Sequence, residues 1–187
     1  MDTVEVHSSG VILYPGSRMR RNLLYLKGRV RGVLMTLMTS HLESSAQNYI
    51  ERGKQLAKVY KEMAEVEPDQ TVLFGGDLNV HDWEMGGGTP IPPGVLDLWE
   101  VTGRRPETRF TWDLTINDNM QYPEGNQPRK RFDRMYIRHS STPAVEPLNF
   151  RFIGTDRLPS CQRFISDHWG LLASFRVKQH GSACSKS

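Results

Sequence analysis

The sequence predicts a mixed α/β (α+β) fold that is rich in β-strands. Apolar segments of strand length recur along the 187 residues, and several of them end in polar side chains. One long segment has helical periodicity instead. The composition, with 37% hydrophobic residues, four Trp and no low-complexity block, is that of a chain that can bury a sizeable core. We therefore expect one domain over residues 1–178 and a disordered tail at 179–187.

The first predicted elements are two strands within residues 22–42, NLLYLKGRVRGVLMTLMTSHL. The turn between them is expected to hold Gly28 and Gly32. The second strand is apolar almost without alternation from Val33 to Met38, a pattern typical of burial on both faces. Polar residues follow it, among them His41.

A long helix is predicted next, within residues 44–66. Apolar side chains recur there at helical spacing: Ala46, Ile50, Ala57, Tyr60 and Ala64. Ser44 and Gln47 match a capping box at its start. A strand at 71–76 follows, and then a loop from Glu84 to Gly94 that is rich in Gly and Pro.

The remaining elements are shorter. A helical turn within residues 95–103 is expected to close at Gly103. The polar stretch from Asp113 to Lys130 predicts a long surface loop. Three further strands are predicted at 131–138, 148–154 and 166–177, the last with alternating Leu171, Ala173, Phe175 and Val177.

Charge and cysteine content limit the class of protein. The formal net charge of +3 permits an anionic partner without requiring one. No apolar stretch approaches membrane-spanning length, and the N-terminus lacks the pattern of a secretory signal. Cys161 and Cys184 are too few for a disulfide scaffold and lack metal-ligand spacing. We expect a soluble intracellular chain in a reducing compartment.

The stretch FGGDLNVHDW, residues 74–83, has two interpretations. Gly, Asp and Asn are common turn formers, so it is consistent with a hydrophilic turn after a strand. Alternatively, side chains two residues apart on a strand point the same way, so Asp77 and Asn79 could converge on one ligand atom. The choice depends on partners elsewhere in the chain.

Asp133 is the most informative of these partners, because it shares a predicted strand face with Met135 and Ile137. A buried carboxylate needs a cationic or donor partner. An Arg would make a structural ion pair, whereas His41 or His168 would be oriented by the carboxylate.

Two histidines, several carboxylates and a carboxamide at strand ends are suited to metal-assisted phosphoester hydrolysis. The sequence contains no G-x-S-x-G motif, no P-loop and no G-x-G-x-x-G motif.

Five motifs, SHLES, GDLN, TWD, RFDR and SDHWGLL, occur in an order that resembles the endonuclease/exonuclease/phosphatase superfamily. The closest resemblance is to its phosphodiesterases that hydrolyse 5′-phosphotyrosyl bonds between protein and DNA ends. The resemblance implies a four-layer αββα sandwich, here an incomplete version that lacks the first half. Residues 1–178 would then be the C-terminal part of a catalytic domain, with an apolar sheet face left exposed.

The resemblance also implies a role for each polar residue. Asp77 would position or deprotonate the attacking water, and Asn79 would help to hold water and phosphate. His168 would stabilise charge on the phosphate and be oriented by Asp133, and His41 would contact a phosphate oxygen.

Metal binding is the part of the expected site that this chain supplies least. In the family the first half provides an Asn and a Glu that bind Mg²⁺, and Glu5 lacks the surrounding pattern of that Glu. Asp167 would help to hold the hydrated metal. Mg²⁺ is the expected cofactor, with Mn²⁺ able to substitute for it.

Two aromatic residues match those that line the family's cleft for the 5′ end of DNA. They are Trp112 and Phe132, and base stacking on such rings tolerates any sequence. Phe132 should face away from Asp133 in a regular strand, so this role requires a bend. His81 stands where vertebrate members of the family typically carry an Arg.

The resemblance implies a hydrolase in DNA repair that acts on DNA with 5′-phosphotyrosyl or otherwise blocked 5′ ends. It implies location in the nucleus and also in the cytoplasm, and no membrane partner. It leaves the protein partners undetermined. Two alternatives stay open. One is a noncatalytic truncated product or fragment with residual nucleic-acid binding, and the other is a superfamily phosphoesterase that acts on another substrate.

Overall fold

The computed structural model describes residues 4–123 and 125–178. The ten strands of this part are β1 Val4–Leu13, β2 Asn22–Val30, β3 Val33–Ser40, β4 Thr71–Asp77, β5 Val95–Asp97, β6 Trp112–Asp113, β7 Arg129–Lys130, β8 Asp133–Arg138, β9 Val145–Ile153 and β10 Gly170–Val177. The α-helices are α1 Tyr49–Glu65, α2 Asp82–Gly87 and α3 Leu98–Val101. The disordered tail predicted at 179–187 lies outside the described residues.

A six-stranded sheet in the order β1-β2-β3-β4-β8-β5 forms the centre of the fold. Strands β3 and β4 run parallel, and α1 makes the crossover between them. The α1 face that contacts the sheet carries Leu56, Val59, Tyr60 and Met63, which pack against Leu23, Phe74 and Tyr136. The long predicted helix is therefore confirmed, and its core-facing side chains stabilise the sheet.

The predicted capping box at the start of this helix is wrong. Residues 46–48 form a short 3₁₀ turn, and α1 begins at Tyr49 without a side-chain cap. Ser44 cannot serve as the cap because its Oγ lies 3.2 Å from the Met19 sulfur and its carbonyl oxygen accepts from Asn48.

The turn between β2 and β3 contains Gly32 but not Gly28. Arg31 and Gly32 alone connect Val30 to Val33, with φ angles of 51° and 81°, as in a type I′ turn. Gly28 lies inside β2, where a Cβ atom would come within 2.2 Å of the Glu5 carbonyl oxygen of β1. Close approach of a neighbouring strand is the reason for glycine there.

Strand β1 was not predicted, and it forms one edge of the large sheet. Its register against β2 shifts between Val6 and Ser8, which indicates a bulge or similar irregularity. Most of its side chains are exposed. The alternation of apolar and polar residues along β1 is therefore too weak to predict a strand, because neither face of the strand is fully buried.

A small antiparallel sheet of β9 and β10 covers part of the second face of the large sheet. Val145, Phe150 and Phe152 pack there with Val33, Met35 and Ile137. The β1 and β2 part of this face stays open, and Val11 and Leu24 are 55% and 45% exposed. The expected exposed apolar face is confirmed for this part of the sheet.

The described residues thus form three layers, namely α1, the six-stranded sheet and the two-stranded sheet. Helix α2 occupies the start of the predicted loop at 84–94, and β9 begins at Val145, three residues before the predicted 148. The helical turn closes at Gly103 as predicted, with φ of 108°. The loop from Asp113 to Lys130 is closed by the β6–β7 pair and is partly buried at Leu114 and Asn117.

No helix within residues 4–123 and 125–178 is long and apolar enough to cross a membrane.

Candidate active site

Strands β4 and β8 place two carboxylates directly opposite each other. They are antiparallel neighbours whose register pairs Asp77 with Asp133 at the end of the ladder. Both residues share the strand face of Met135 and Ile137, as predicted for Asp133. Like charges at opposed positions destabilise a sheet, so this pair requires compensation from neighbouring groups.

His168 provides this compensation for Asp133. Its Nδ1 lies 2.7 Å from Oδ2 of Asp133, within the range of an ordinary hydrogen bond. Thr111 Oγ1 donates to the same carboxylate oxygen at 2.6 Å and itself accepts from the backbone N–H groups of Phe132 and Asp133. Of the partners considered for Asp133, the structure therefore shows His168 and not an Arg.

The protonated form of His168 is favoured in this setting. Burial alone would lower the pKa of His168, but the hydrogen bond that its Nδ1 donates to Asp133 and the charges of Asp133 and Asp77 outweigh it and raise the pKa above its ordinary value of 6.5. Protonated His168 therefore stabilises the fold. This contribution is fully present below pH 6.5 and is lost as the pH rises through the raised pKa.

We expect Asp133→Asn to lower the pKa of His168, because the variant removes the negative charge while keeping the side-chain shape. NMR titration of the histidine ring protons, in buffer without divalent metal, would measure the change. His139 serves as the internal control. Its pKa is lowered by burial and by Lys178, and the variant changes neither of these causes. An unchanged His168 pKa in the variant would contradict this account of the pair.

Asp77 is held from two sides. Its Oδ1 accepts the backbone N–H of Asn79 at 2.9 Å, and its Oδ2 lies 3.2 Å from Nε2 of His41. Burial and the nearby Asp133 raise the pKa of Asp77. Burial also lowers the pKa of His41, and Arg21 adds to this effect. The two histidines of the site are thus shifted in opposite directions.

Asn79 reaches the site through a turn and not through strand alternation. Its φ angle is 52°, and its side-chain amide donates to the Leu42 carbonyl at 3.3 Å. The bond from Leu42 N–H to the Asp77 carbonyl ties the same two loops together. The turn interpretation of the GDLN stretch is therefore confirmed. Strand alternation as the reason for convergence is wrong, because the positive φ of Asn79 takes it out of the strand, and convergence of Asp77 and Asn79 on one ligand atom stays a prediction.

Asp77 and His41 line a cleft with a volume of about 430 Å³, together with Arg20, Arg21 and Asn22. Phe132 lies between β7 and β8, and its ring centroid lies 6.4 Å from that of His168. The ring therefore lies on the side of the candidate site, as predicted. Trp112 lies 5.6 Å from Phe132 but is only 8% exposed, so little of its ring is available for stacking on a base.

Asp77, Asp133 and His168 each bring one possible ligand atom within 4.8 Å of the others. Protonated His168 has no free nitrogen lone pair, so the two carboxylates are the candidate metal ligands. Mg²⁺ binds through one or two carboxylates and completes its shell with water. The two opposed carboxylates fit that requirement, although His168 already occupies one oxygen of Asp133. Asp167 lies on the other side of His168, 4.0 Å from its Nε2, and accepts from the Trp112 indole at 3.4 Å.

The sequence did not point to three residues that hold the site together. Thr111 connects Asp133 to the β8 backbone. Arg52 and Glu84 form a buried ion pair at 2.8 Å, and Arg52 also donates to the carbonyls of Glu43 and Ser45. Glu84 accepts the backbone N–H of His81 and so anchors the loop after Asp77. The position of Arg52 on the apolar side of the predicted helix is the sequence feature that could have indicated a buried ion pair.

Comparison with known proteins gives consistent results. Residues 2–168 match the Endonuclease/Exonuclease/phosphatase family. Tyrosyl-DNA phosphodiesterase 2 of Xenopus laevis is 41% identical over 93% of this chain and 46% of that protein. The human protein of the same name is 36% identical over 93% of the chain and 48% of that protein. The chain spans about half the length of the curated relatives it matches.

Solved structures agree on the fold. Tyrosyl-DNA phosphodiesterase 2 of Danio rerio, complexed with single-strand DNA product, superposes with a TM-score of 0.87 at 40% identity and covers 93% of this chain and 69% of that one. A mannosyl-6-phosphatase of Bacteroides thetaiotaomicron, at 12% identity and a TM-score of 0.64 over 92% of this chain and 67% of that one, shares the fold alone. The α+β fold, the opposed carboxylates and the match over residues 2–168 together show that the chain belongs to the Endonuclease/Exonuclease/phosphatase family.

Proposed function

We propose that this chain forms the catalytic centre of a Mg²⁺-dependent phosphodiesterase that hydrolyses 5′-phosphotyrosyl bonds between protein and DNA ends. The observation that carries the proposal is the Asp77, Asp133 and His168 group at the end of β4 and β8. The chain is similar to tyrosyl-DNA phosphodiesterase 2, one example of which was solved with single-strand DNA product, and this similarity supports DNA as the substrate. We place this activity in DNA repair, in the nucleus and also in the cytoplasm.

The residues divide the chemistry between them. Asp77 orients a water molecule and accepts its proton as the water oxygen bonds to phosphorus and the bond from phosphorus to the tyrosyl oxygen breaks. His168, held by Asp133, donates to a phosphate oxygen on which negative charge develops. Asn79 and His41 hold the water and the phosphate from the adjoining loops.

A bound Mg²⁺ would offset phosphate charge during the reaction. Asp167 would act through water, and the Asp77 carboxylate lies close enough to share in holding the ion. Because His168 occupies one oxygen of Asp133, we assign Asp133 mainly to orientation of the histidine.

The test measures hydrolysis of an oligonucleotide with a 5′-phosphotyrosine. It compares the chain alone with the chain joined to the unmatched segment of the Danio rerio relative, each with Mg²⁺ and with EDTA. We expect Mg²⁺-dependent release of tyrosine from the joined form, and no release above the buffer control from the chain alone.

Two results would overturn the proposal. Preferential hydrolysis of an inositol phosphate by the joined form would indicate another substrate class. Oligonucleotide binding without hydrolysis in either form would indicate a noncatalytic chain.

A further inference from the structure

A continuous series of aromatic rings leads away from the candidate active site. The His81 ring lies 5.5 Å from Phe132 in an edge-on contact. Trp83 lies 6.2 Å from His81 with an interplanar angle of 21°, and Tyr49 lies 5.9 Å from Trp83. We call His81, Trp83 and Tyr49 the outer aromatic row.

Two of these rings are unusually exposed for their size. Trp83 is 62% exposed and Tyr49 is 46% exposed. Large aromatic side chains normally bury most of their surface in a core or an interface. Neither ring belongs to the two clusters of buried residues that stabilise the fold, so folding does not account for their positions.

The row is built on well-fixed elements. His81 is the N-cap residue of α2, and its backbone N–H is bonded to Glu84. Glu84 in turn receives two hydrogen bonds from the fully buried Arg52 of α1. Tyr49 is the first residue of that helix. The backbone that carries the rings is therefore fixed, which reduces the conformational entropy lost when a ligand binds.

The charge around the row favours an anionic ligand with planar groups. The two acidic side chains near His81 are paired, Asp82 with Arg109 and Arg134 and Glu84 with Arg52, and Lys130 adds a further positive charge. Burial, followed by Lys130, lowers the pKa of His81, so its ring stays neutral at neutral pH. Cationic side chains beside neutral rings are the arrangement that binds single-stranded nucleic acids.

We propose that the outer aromatic row binds successive bases of a single-stranded nucleic acid whose 5′ end occupies the candidate active site. The row continues the Phe132 ring contact, so one strand can follow both. A base has a flat face that stacks on an aromatic ring whatever its identity, so this binding is independent of base sequence. The inference rests on the proposed function, because it takes the DNA end to lie beside Asp77.

The experiment uses oligonucleotides of two lengths to distinguish binding at the outer aromatic row from binding at the candidate active site. Fluorescence anisotropy would measure affinity for a 5′-phosphorylated dinucleotide and for a dodecanucleotide, in EDTA to prevent turnover. We expect Trp83→Ala and Tyr49→Ala each to weaken dodecanucleotide binding by about 5- to 100-fold, and to leave dinucleotide binding unchanged.

Two matched variants complete the design. Trp83→Phe keeps a ring and should retain most of the dodecanucleotide affinity. Leu148→Ala removes an apolar side chain of β9 that is 47% exposed, and it should have no effect on either ligand. Circular dichroism of each variant would confirm that it is folded.

The outcomes distinguish the two proposals. Wild-type dodecanucleotide affinity in both Ala variants would contradict base binding by the outer aromatic row and would not affect the proposed function. An equal loss for both oligonucleotides would also contradict base binding by the row, because the effect would then arise at the active site. If the wild-type chain bound neither oligonucleotide in the isolated or the joined form, the proposed function would fail and this inference with it.

Discussion

Asp77→Asn is expected to reduce hydrolysis of a 5′-phosphotyrosyl oligonucleotide by about 10²- to 10⁴-fold, the range for loss of a general base. Asn has nearly the same shape, and its oxygen can still accept the N–H of Asn79. It cannot accept a proton from water. Single-turnover kinetics, in the form of the chain that is active, would measure the change in the chemical step.

The stability of this variant separates loss of chemistry from loss of structure. Burial raises the pKa of Asp77, so the folded state binds this proton more tightly than the unfolded state does. The contribution of Asp77 to stability therefore falls as the pH rises from its ordinary pKa through the raised one. At neutral pH we expect Asp77→Asn to have a melting temperature equal to or above that of wild type.

A control carboxylate shows whether the effect is specific. Asp118 is exposed and paired with Arg157, and Asp118→Asn should leave the rate unchanged. If Asp77→Asn kept more than about a tenth of the wild-type rate, well above the range expected for loss of a base, another group would be the proton acceptor.

Arg52→Met is expected to lower the free energy of unfolding by about 3 to 5 kcal/mol. The variant keeps an unbranched side chain that can pack along the helix but leaves Glu84 as a buried charge without its partner. It also removes the two hydrogen bonds to the carbonyls of Glu43 and Ser45. Urea denaturation followed by circular dichroism would measure the loss.

Lys58→Met on the same helix is the matched control. Lys58 pairs with Glu62 one turn away, and its side chain is 40% exposed. Solvent-exposed pairs contribute about 0 to 1 kcal/mol, so this variant should change stability little. Equal losses in the two variants would show that burial of the Arg52 pair has no special importance.

The parts of the fold that follow from one strand or helix could be predicted from the sequence. Apolar spacing located α1, β3 and β4. The same reasoning placed Asp133 on a buried face and required a partner for it, which the structure identifies as His168. These predictions succeed because the spacing of apolar residues along one strand or helix is enough to decide which of its side chains are buried.

Other features depend on contacts between distant segments, which no local pattern records. Thr111 reaches Asp133 only because the chain before β8 folds back beside it. Gly28 appeared to be a turn residue, although it is required by the approach of β1. The burial of Arg52 depends on Glu84, which lies 32 positions further along the chain. Such pairs become visible only when tertiary packing is known.

Strand β1 also has a consequence for handling the protein in solution. Within residues 4–123 and 125–178 no strand pairs with its outer edge, so backbone N–H and C=O groups there can pair with a strand of another molecule. Val4, Val6, Val11 and Leu13 are all more than half exposed. The irregularity at Val6 and Ser8 interrupts the edge at one point only. The aggregated fraction should therefore rise with protein concentration, with intermolecular β-sheet as its structure, and Val11→Lys should delay the onset of aggregation.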